Sequence, residues 1–285
     1  MNNEEEYKET ELGLLPKEWR VVTLGNMDLF KILGSGINKF EGKKDYLSTT
    51  SIHINKIKEI ECSINFKNRP SRANMQPIMN SVWFAKMKNT NKVYSFTAEN
   101  KDEIEKYILS TGFCGILCKT EVDPIFLRMV FISDYFNKLK DTLSHGTTQQ
   151  AVNTDDIKSI CFPLPLPLEQ KRIAFVLSSI EKSKEKTQNL INSLKELKKS
   201  AMKHLFTYGA VSFDDKDKIE LKETEIGMMP KNWEIDKFSN LMEFSKKPRE
   251  LKFNDLDEIT FIPMEKISEC DNPVRYEIKK YKDIA

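Results

Sequence analysis

The chain has 285 residues, of which 39% are hydrophobic and 31% are charged, with 10 glycines and 11 prolines. This length permits one large domain or two ordinary ones, each with a substantial core, and the composition excludes a fibrous or largely disordered protein. The formal net charge is only +2, but residues 31–92 carry 12 basic and 4 acidic side chains, a local excess that can mark a nucleic-acid site.

The sequence has no segment typical of a membrane span or of export. No apolar run approaches the roughly 18 residues that cross a bilayer. The acidic stretch of residues 2–6 has neither the basic flank nor the apolar core of a signal peptide. We therefore expect a cytoplasmic protein that makes no membrane contact.

Residues 1–162 are predicted to form a mixed domain, in which short β-rich runs alternate with helical ones. The predicted strands are 20–24, 45–47, 81–87, 93–97 and 112–119, and the predicted helices are 101–109 and 124–139. The fold class expected for the chain is α+β.

One long helix is predicted from about residue 167 to 207. The alternating prolines of Pro163-Leu164-Pro165-Leu166-Pro167 force an extended approach to it. Pro167 suits the first position of a helix, and Gly209 suits its end. At 1.5 Å per residue, about 40 residues make a rod of roughly 60 Å, far longer than an ordinary domain helix.

Apolar side chains step along this helix by four and three residues, which is the pattern of a coiled-coil seam. Lys184 and Thr187 interrupt the seam and could fix its register. We therefore expect the helix to need a partner helix. The predicted seam residues are Ile173, Leu177, Ile180, Ile191, Leu194, Ala201 and Leu205.

An internal repeat brackets this domain and helix. Residues 8–19 match residues 222–233 at a constant offset of 214, with eight of twelve positions identical and three further exchanges between aliphatic residues. Trp19 and Trp233 are among the identical pairs. An offset of this length is too long for a solenoid repeat, so it indicates duplication of a whole domain with its connecting helix.

Signatures of an enzyme are missing from the sequence. It contains no Walker-type phosphate loop, no Gly-x-Gly-x-x-Gly, no His-Glu-x-x-His and no Gly-x-Ser-x-Gly. The three histidines are too dispersed for a triad or a metal cluster. Cys114 and Cys118 lie in an apolar run without a nearby histidine, which favours buried thiols over a zinc site. We therefore expect no catalytic residues and no bound metal.

Three features together resemble the specificity subunit of type I restriction-modification systems. They are the Leu12-Gly13 to Pro16-Lys17-Glu18-Trp19 segment with its second copy, the Gly-Thr-Thr-Gln-Gln run of residues 146–150 leading to Asn153, and residues 160–174 with Pro-Leu-Pro-Leu-Glu-Gln-Lys-Arg-Ile-Ala. The resemblance implies two target-recognition domains, each reading one half of a split DNA sequence, separated by two long helices packed as an antiparallel coiled coil. It favours a structural role for residues 146–150.

The resemblance also implies an organisation and a set of partners. Residues 1–162 would be the first target-recognition domain, residues 163–208 the spacer helix, and residues 209–285 an incomplete second recognition domain. The expected partners are double-stranded DNA, methyltransferase subunits and a translocating restriction subunit. No cofactor is expected on this chain, because S-adenosylmethionine, ATP and Mg²⁺ would be held by the partner subunits.

Candidate DNA contacts come from the basic block. Arginine can pair with guanine and asparagine or glutamine with adenine, whereas lysines hold phosphates. A proline-bounded run, expected to be a loop, supplies the candidate base readers Arg72, Asn74 and Gln76. The candidate phosphate contacts are Lys39, Lys43, Lys44, Lys86, Lys88 and Lys92.

Two other interpretations stay open at the level of sequence. The chain could be a coiled-coil module that binds proteins rather than DNA, although the basic block argues against it. It could also be an inactive, truncated specificity fragment, because the offset of 214 would place a second long helix near residues 377–420. If the half-length chain is active, we expect it to pair with itself through residues 170–206 and to specify a symmetric bipartite site.

Overall fold

The computed structural model describes residues 6–146, 150–243, 254–263 and 276–283. The chain divides into two compact units, Met1–Glu196 and Leu197–Ala285. The functional boundaries expected at residues 162 and 208 stay a prediction. The α+β class is confirmed, since strands and helices mix in the first unit and a long helix follows.

The first unit begins with most of the strands. They are β1 (Tyr7–Thr10), β2 (Gly13–Pro16), β3 (Arg20–Thr23), β4 (Phe30–Leu33), β5 (Lys44–Leu47), β6 (Ile52–His53), β7 (Lys56–Ile57), β8 (Cys62–Ile64), β9 (Ala73–Met75), β10 (Ser81–Ala85) and β11 (Val93–Phe96). There follow α1 (Asp102–Lys106), β12 (Tyr107–Ser110), β13 (Phe113–Cys118), α2 (Pro124–Ile132), α3 (Asp134–Thr142), β14 (Ser144–His145), β15 (Ala151–Val152), α4 (Thr154–Ser159) and β16 (Cys161–Leu164).

Two four-stranded sheets form the body of this unit. The first sheet has the order β11-β10-β13-β4 and is antiparallel throughout. The second sheet has the order β8-β5-β12-β9, in which only β5 and β12 are parallel. Fully buried Trp83 lies between them and packs over Gly115, where an added Cβ would lie 2.6 Å from the indole ring. Glycine at position 115 is therefore required for this packing.

The two ends of the first domain are paired with each other. Strand β3 runs antiparallel to β16, with Val22 opposite Phe162. Both side chains are buried in the larger core cluster, which also contains Phe84, Phe131 and Phe136. Because β16 leads directly into the long helix, this pairing positions the start of that helix against the domain.

The long helix, α5 (Pro167–Tyr208), agrees with its predicted bounds to within one residue. It starts at Pro167 as expected. At its end Gly209 adopts a φ of +83° and donates its N–H to the carbonyl of Leu205 at 2.9 Å, which is the cap that favours glycine. Among the helices of the described ranges, none is long and apolar enough to cross a membrane.

Two helix predictions are wrong in part. Of residues 101–109 only the first half is helical, because Tyr107, Ile108 and Leu109 form the buried strand β12 between β5 and β9. Residues 124–139 form two helices rather than one. Ser133 is extended and its hydroxyl accepts the N–H of Phe136, so it caps α3 and ends α2.

The second unit contains the remaining elements, β17 (Leu221–Thr224), β18 (Gly227–Pro230), α6 (Phe238–Leu241), β19 (Glu258–Phe261) and β20 (Glu277–Lys280). The sequence repeat is also a structural repeat. Strands β1 and β2 pair in the same register as β17 and β18, with Thr10 opposite Gly13 and Thr224 opposite Gly227. In both hairpins the threonine hydroxyl donates to the glycine carbonyl, at 2.7 Å and 2.6 Å.

Candidate nucleic-acid interface

The three candidate base readers lie in or directly beside β9, an edge strand of the second sheet. Residues 73–75 form β9, where a loop was expected, so the loop prediction is wrong for this part of the run. Ala73 and Met75 are buried, whereas Arg72 is exposed and Asn74 and Gln76 are half-buried. Because side chains alternate along a strand, Asn74 lies on the side of β9 opposite to buried Ala73 and Met75, whereas Arg72 and Gln76 lie just before and just after the strand.

The residues on both sides of β9 are hydrogen-bonded to neighbouring segments of the chain. The N–H of Asn38 donates to Oε1 of Gln76 at 2.7 Å, and Lys39 is the next residue. At the other end, the carbonyl of Arg72 accepts the N–H of Thr111 at 2.9 Å. The carbonyl of the following Gly112 accepts the N–H of Lys86, also at 2.9 Å. Hydrogen bonds thus link the segments that carry Lys39, Gln76, Asn74, Arg72 and Lys86, and we call this set of linked segments the edge.

The turn after β10 extends this edge to Lys88. The carbonyl of Gln150 accepts the N–H of Lys88 at 2.9 Å, and the N–H of Val152 donates to the carbonyl of Lys86. Residues 150–152 therefore hold the Lys86 to Lys88 segment, and the structural role at the domain-helix junction expected for residues 146–150 stays a prediction. Residues 147–149 of that run lie outside the described residues.

A buried lysine fixes the shape of the same turn. Lys140 on α3 is 1% exposed, and its ammonium group donates to the carbonyls of Met87 and Thr90 and to the carboxylate of Asp141. The carboxylate of Asp141 also accepts the N–H of Asn89, a residue with a φ of +56° at the tip of the turn. Lys140 and Asp141 were not predicted as a pair from the sequence. The only sequence signal was a lysine within the apolar face of a helix.

The other candidate lysines differ in their surroundings. Lys39 and Lys43 are exposed. Lys44 is 11% exposed in its side chain and forms an ion pair with Glu105 at 3.1 Å. Lys92 is half-buried and donates its ammonium to the carbonyl of Thr49. These internal partners compete with a phosphate for Lys44 and Lys92, so Lys39, Lys43 and Lys88 are the better candidates of the set.

The register of the second sheet separates two of the candidates from the edge. Asp45 pairs with Tyr107 at the start of β12, whereas Ala73 pairs with Ser110 at its end. Lys43 and Lys44 therefore lie near the opposite end of the sheet from Arg72.

The Glu-Gln pair at the start of α5 anchors the helix to the domain. The indole N–H of Trp19 donates to Oε2 of Glu169 at 2.8 Å. Gln170 is fully buried, and its amide accepts the N–H of Asp123 and donates to the carbonyls of Glu121 and Pro165. The family motif was recognised in the sequence, but these contacts could not be assigned there.

The predicted seam is mostly exposed on this single chain. Ile173 is partly buried against the core cluster of its own domain, and Ala201 is half-buried. Ile173 thus contacts its own domain, and the pairing of the predicted seam with another helix stays a prediction. The exposed members of the predicted seam are Leu177 at 39%, Ile180 at 59%, Ile191 at 41%, Leu194 at 54% and Leu205 at 46% exposure.

The cysteines that were weighed as zinc ligands are buried thiols. Burial raises the pKa of Cys114 to about 12, and it raises the pKa of Cys118 further above its usual range. A zinc ligand must be a thiolate, and these surroundings disfavour that form. Among the described residues, no three histidine, cysteine, aspartate or glutamate side chains are placed to hold a metal ion.

Comparisons with known proteins add three findings. Residues 16–196 match the family model described as the type I restriction modification DNA specificity domain. The chain is 27% identical over 254 residues to the type I restriction enzyme MjaVIII specificity subunit of Methanocaldococcus jannaschii, covering 84% of this chain and 53% of that protein. It is 25% identical over 249 residues to the MjaIX specificity subunit of the same organism, covering 84% and 55%.

Among solved structures, the HsdS subunit from Thermoanaerobacter tengcongensis is similar in fold, with a TM-score of 0.50 and 24% identity. A chain from a structural study of the assembly of a type I R-M system gives a TM-score of 0.52 and 23% identity. Each comparison covers 70% of this chain and 52% of the other. The chain thus spans about half the length of the curated relatives and solved structures that it matches.

Proposed function

The chain belongs to the family of type I restriction-modification DNA specificity domains, and on that premise we propose that it directs a type I complex to its DNA target. Residues 1–162 bind one half of a bipartite sequence, and the chain itself is not catalytic. The observation that carries the proposal is the family match of residues 16–196, and the hydrogen bonds that link the segments of Lys39, Arg72 and Lys88 support a DNA contact there.

Catalysis in this proposal belongs to partner subunits. Methyltransferase subunits holding S-adenosylmethionine modify adenine within the target, and a translocating restriction subunit uses ATP and Mg²⁺. The chain recognises the DNA sequence and binds the catalytic subunits. This role agrees with a sequence that lacks phosphate-loop and methyl-donor motifs. A protein that works on cellular DNA in such a complex acts in the cytoplasm.

Domain exchange tests the proposal. Residues 20–158 are replaced by the corresponding region of a related specificity subunit, and the methylated motif of host DNA is determined by sequencing. We expect one half of the motif to change and the other to stay the same. A complex that keeps its motif after the exchange, or duplex binding that does not weaken as salt rises, would favour the protein-interaction module instead.

We further propose that α5 pairs with the same helix of a second copy of this chain. The exposed side chains Leu177, Ile180, Ile191 and Leu194 support this pairing, because an apolar stripe at heptad spacing is stabilised by a facing helix. A two-fold dimer would present the same seam from both sides. Such a dimer would specify a symmetric site built from two copies of one half-target.

Sedimentation measures this pairing directly. We expect the purified chain to be a dimer at tens of micromolar, and Leu194→Asp to shift it to monomer. Lys195→Asp, which places the same side chain on the neighbouring exposed position, is the matched control and should stay dimeric. A wild-type monomer whose helix is intact by circular dichroism would contradict self-pairing and favour an inactive fragment.

A further inference from the structure

A second set of contacts holds α5 to the recognition domain about four turns beyond its start at Pro167. Glu181 accepts hydrogen bonds from two side chains, Arg128 at 2.9 Å and Asn55 at 3.0 Å. One turn later, Glu185 forms an ion pair with Lys56. The side chain of Arg128 is only 11% exposed and that of Glu181 is 34% exposed, so this pair is shielded from solvent far more than an ordinary surface ion pair.

These contacts come from two different parts of the domain. Arg128 lies on α2, the helix whose preceding residue Asp123 is bonded to Gln170 at the start of α5. Asn55 and Lys56 lie on the hairpin formed by β6 and β7, which is a separate two-stranded sheet. Gln170 and Glu181 are 11 residues apart, or roughly 16 Å along a helix. A rod held at two points this far apart has a fixed direction.

The tip of the hairpin is held in a strained conformation. Ile54 has a φ of +54°, which is unfavourable for a β-branched residue. Its carbonyl accepts the N–H of Val93 at 2.6 Å, and the next residue, Asn55, contacts Glu181. Backbone strain of this kind persists only where neighbouring contacts over-determine it, and it is concentrated at functional positions.

Open space lies beside these contacts, between the helix and the domain. It is a groove of about 1070 Å³, lined on the domain side by Thr97 and Asn100 and on the helix side by Gln188 and Asn192. The contacts of Glu181 and Glu185 therefore form a second attachment of the domain to α5, farther along the helix than the one at residues 169–174. The direction of the helix depends on this second attachment.

We propose that Arg128, Asn55 and Glu181 are positioning residues that set the angle between the recognition domain and the spacer helix, and thereby the spacing allowed between the two half-sites of DNA. This inference rests on the proposed function. The edge that carries Arg72 determines which half-site sequence is bound. The rigidity with which each domain is held on α5 determines which spacer lengths between the half-sites are accepted. Without the second attachment the domain pivots about Glu169 and Gln170, and targets with other spacers become acceptable.

The experiment uses Glu181→Ala, with Glu196→Ala as its matched control. Both glutamates lie on α5, and Glu196 is exposed, so the two variants lose the same charge and change the intrinsic helix propensity by the same amount. Spin labels on native Cys62 and on Lys195→Cys, in a Cys161→Ser/Cys270→Ser background diluted with unlabelled chain, report the angle of the domain. We expect one narrow distance distribution for the parent and the control, and a broad one for Glu181→Ala.

The assembled complex with its methyltransferase subunits is then given duplexes whose spacers are cognate, one base pair shorter or one longer. For Glu181→Ala we expect the preference for the cognate spacer to fall about tenfold, the size of one charge-assisted hydrogen bond, with unchanged half-site preference. The exchange Arg128→Glu/Glu181→Arg should restore both the narrow distribution and the preference. Asn55→Ala, which leaves the helix sequence untouched, should show a weaker form of the same effect.

Three results would overturn the inference. An unchanged distance distribution in Glu181→Ala and Asn55→Ala means that these residues do not set the angle. A broad distribution with unchanged spacer preference means that the angle does not set the spacing, while the proposed function stands. A parent complex that methylates no bipartite duplex rejects the proposed function and this inference together.

Discussion

Gln170 and Asp123 join the starts of two helices in one buried network. The side-chain oxygen of Gln170 accepts the backbone N–H of Asp123 at 2.9 Å. The carboxylate of Asp123 in turn accepts the N–H groups of Ile125 and Phe126, which caps α2. The glutamine that follows Glu169 therefore determines where α5 meets the recognition domain.

Replacing this glutamine is expected to destabilise the first unit strongly. Gln170→Leu would leave the carbonyl of Pro165 without its partner in a buried place, and the N–H of Asp123 and the carbonyl of Glu121 without theirs in partly buried places. Unpaired buried groups cost about 1–3 kcal/mol each, so we expect a loss of about 3 kcal/mol or more in the free energy of unfolding. Urea unfolding followed by fluorescence measures it. Gln188→Leu, an exposed site on the same helix, should change stability by less than about 0.5 kcal/mol.

The edge strand predicts two different kinds of DNA phenotype. Arg72→Ala should relax discrimination at one base pair, with a loss of about 1–3 kcal/mol at the cognate base. Lys88→Ala should weaken binding to all sequences alike and lower the slope of log affinity against log salt by about 0.9. Fluorescence anisotropy over a salt series, with single-base variants of the target, separates the two. If Arg72→Ala and Lys88→Ala give the same profile, the assignment of base reader and phosphate contact fails.

The sequence predicted the long helix well because its signals are local. Pro167, Gly209 and the apolar stripe between them all act within the helix itself. The failures came from long-range pairing. Tyr107, Ile108 and Leu109 follow an acidic helical turn in sequence, but β12 is formed by partners on β5 and β9 that lie more than thirty residues away. No local pattern identifies those partners.

The candidate site was also only partly predictable, because its residue types are local signals and its connections are long-range. The types of residue in the basic block were sufficient to nominate Arg72, Asn74 and Gln76, and the alternation of Ala73 and Met75 could have indicated a strand rather than a loop. The links from Arg72 to Thr111 and from Gly112 to Lys86 run between backbone atoms, which are the same in every residue. Sequence patterns therefore could not show that these segments form one edge, nor that Lys140 supports it.

Because the thiol of Cys114 is buried, we expect the free energy of unfolding to fall in alkaline solution. Burial raises its pKa to about 12 in the folded chain, above the value near 9 expected when the chain is unfolded. A group that holds its proton more tightly when folded stabilises the fold fully below pH 9, and this contribution falls as the pH rises from 9 towards 12. The slope is at most about 1.4 kcal/mol per pH unit for this group.

Unfolding by urea at pH 8 and pH 10 measures this dependence. Cys114→Ala should reduce the difference in unfolding free energy between the two pH values by about 1 kcal/mol. Cys62→Ala, which changes an exposed thiol, should leave the difference as it is in the parent chain. Equal pH dependence in the parent and Cys114→Ala would show that the thiol is not held in its protonated form by the fold.

The length of α5 should set the distance between half-sites, and it can be changed without touching either attachment of the domain. A second copy of residues 190–196 inserted after Glu196 lies beyond the contacts of Glu181 and Glu185 and keeps the heptad spacing of the seam. Seven residues add about 10 Å, so the spacer of the methylated motif should lengthen by up to about three base pairs, with both half-sites unchanged. A copy of residues 192–196 adds five residues and turns the seam by about 140°, because each residue rotates the helix by about 100°. This second variant should lose pairing and methylation altogether. A motif whose spacer is unaltered by the seven-residue insertion would show that the helix does not measure the distance.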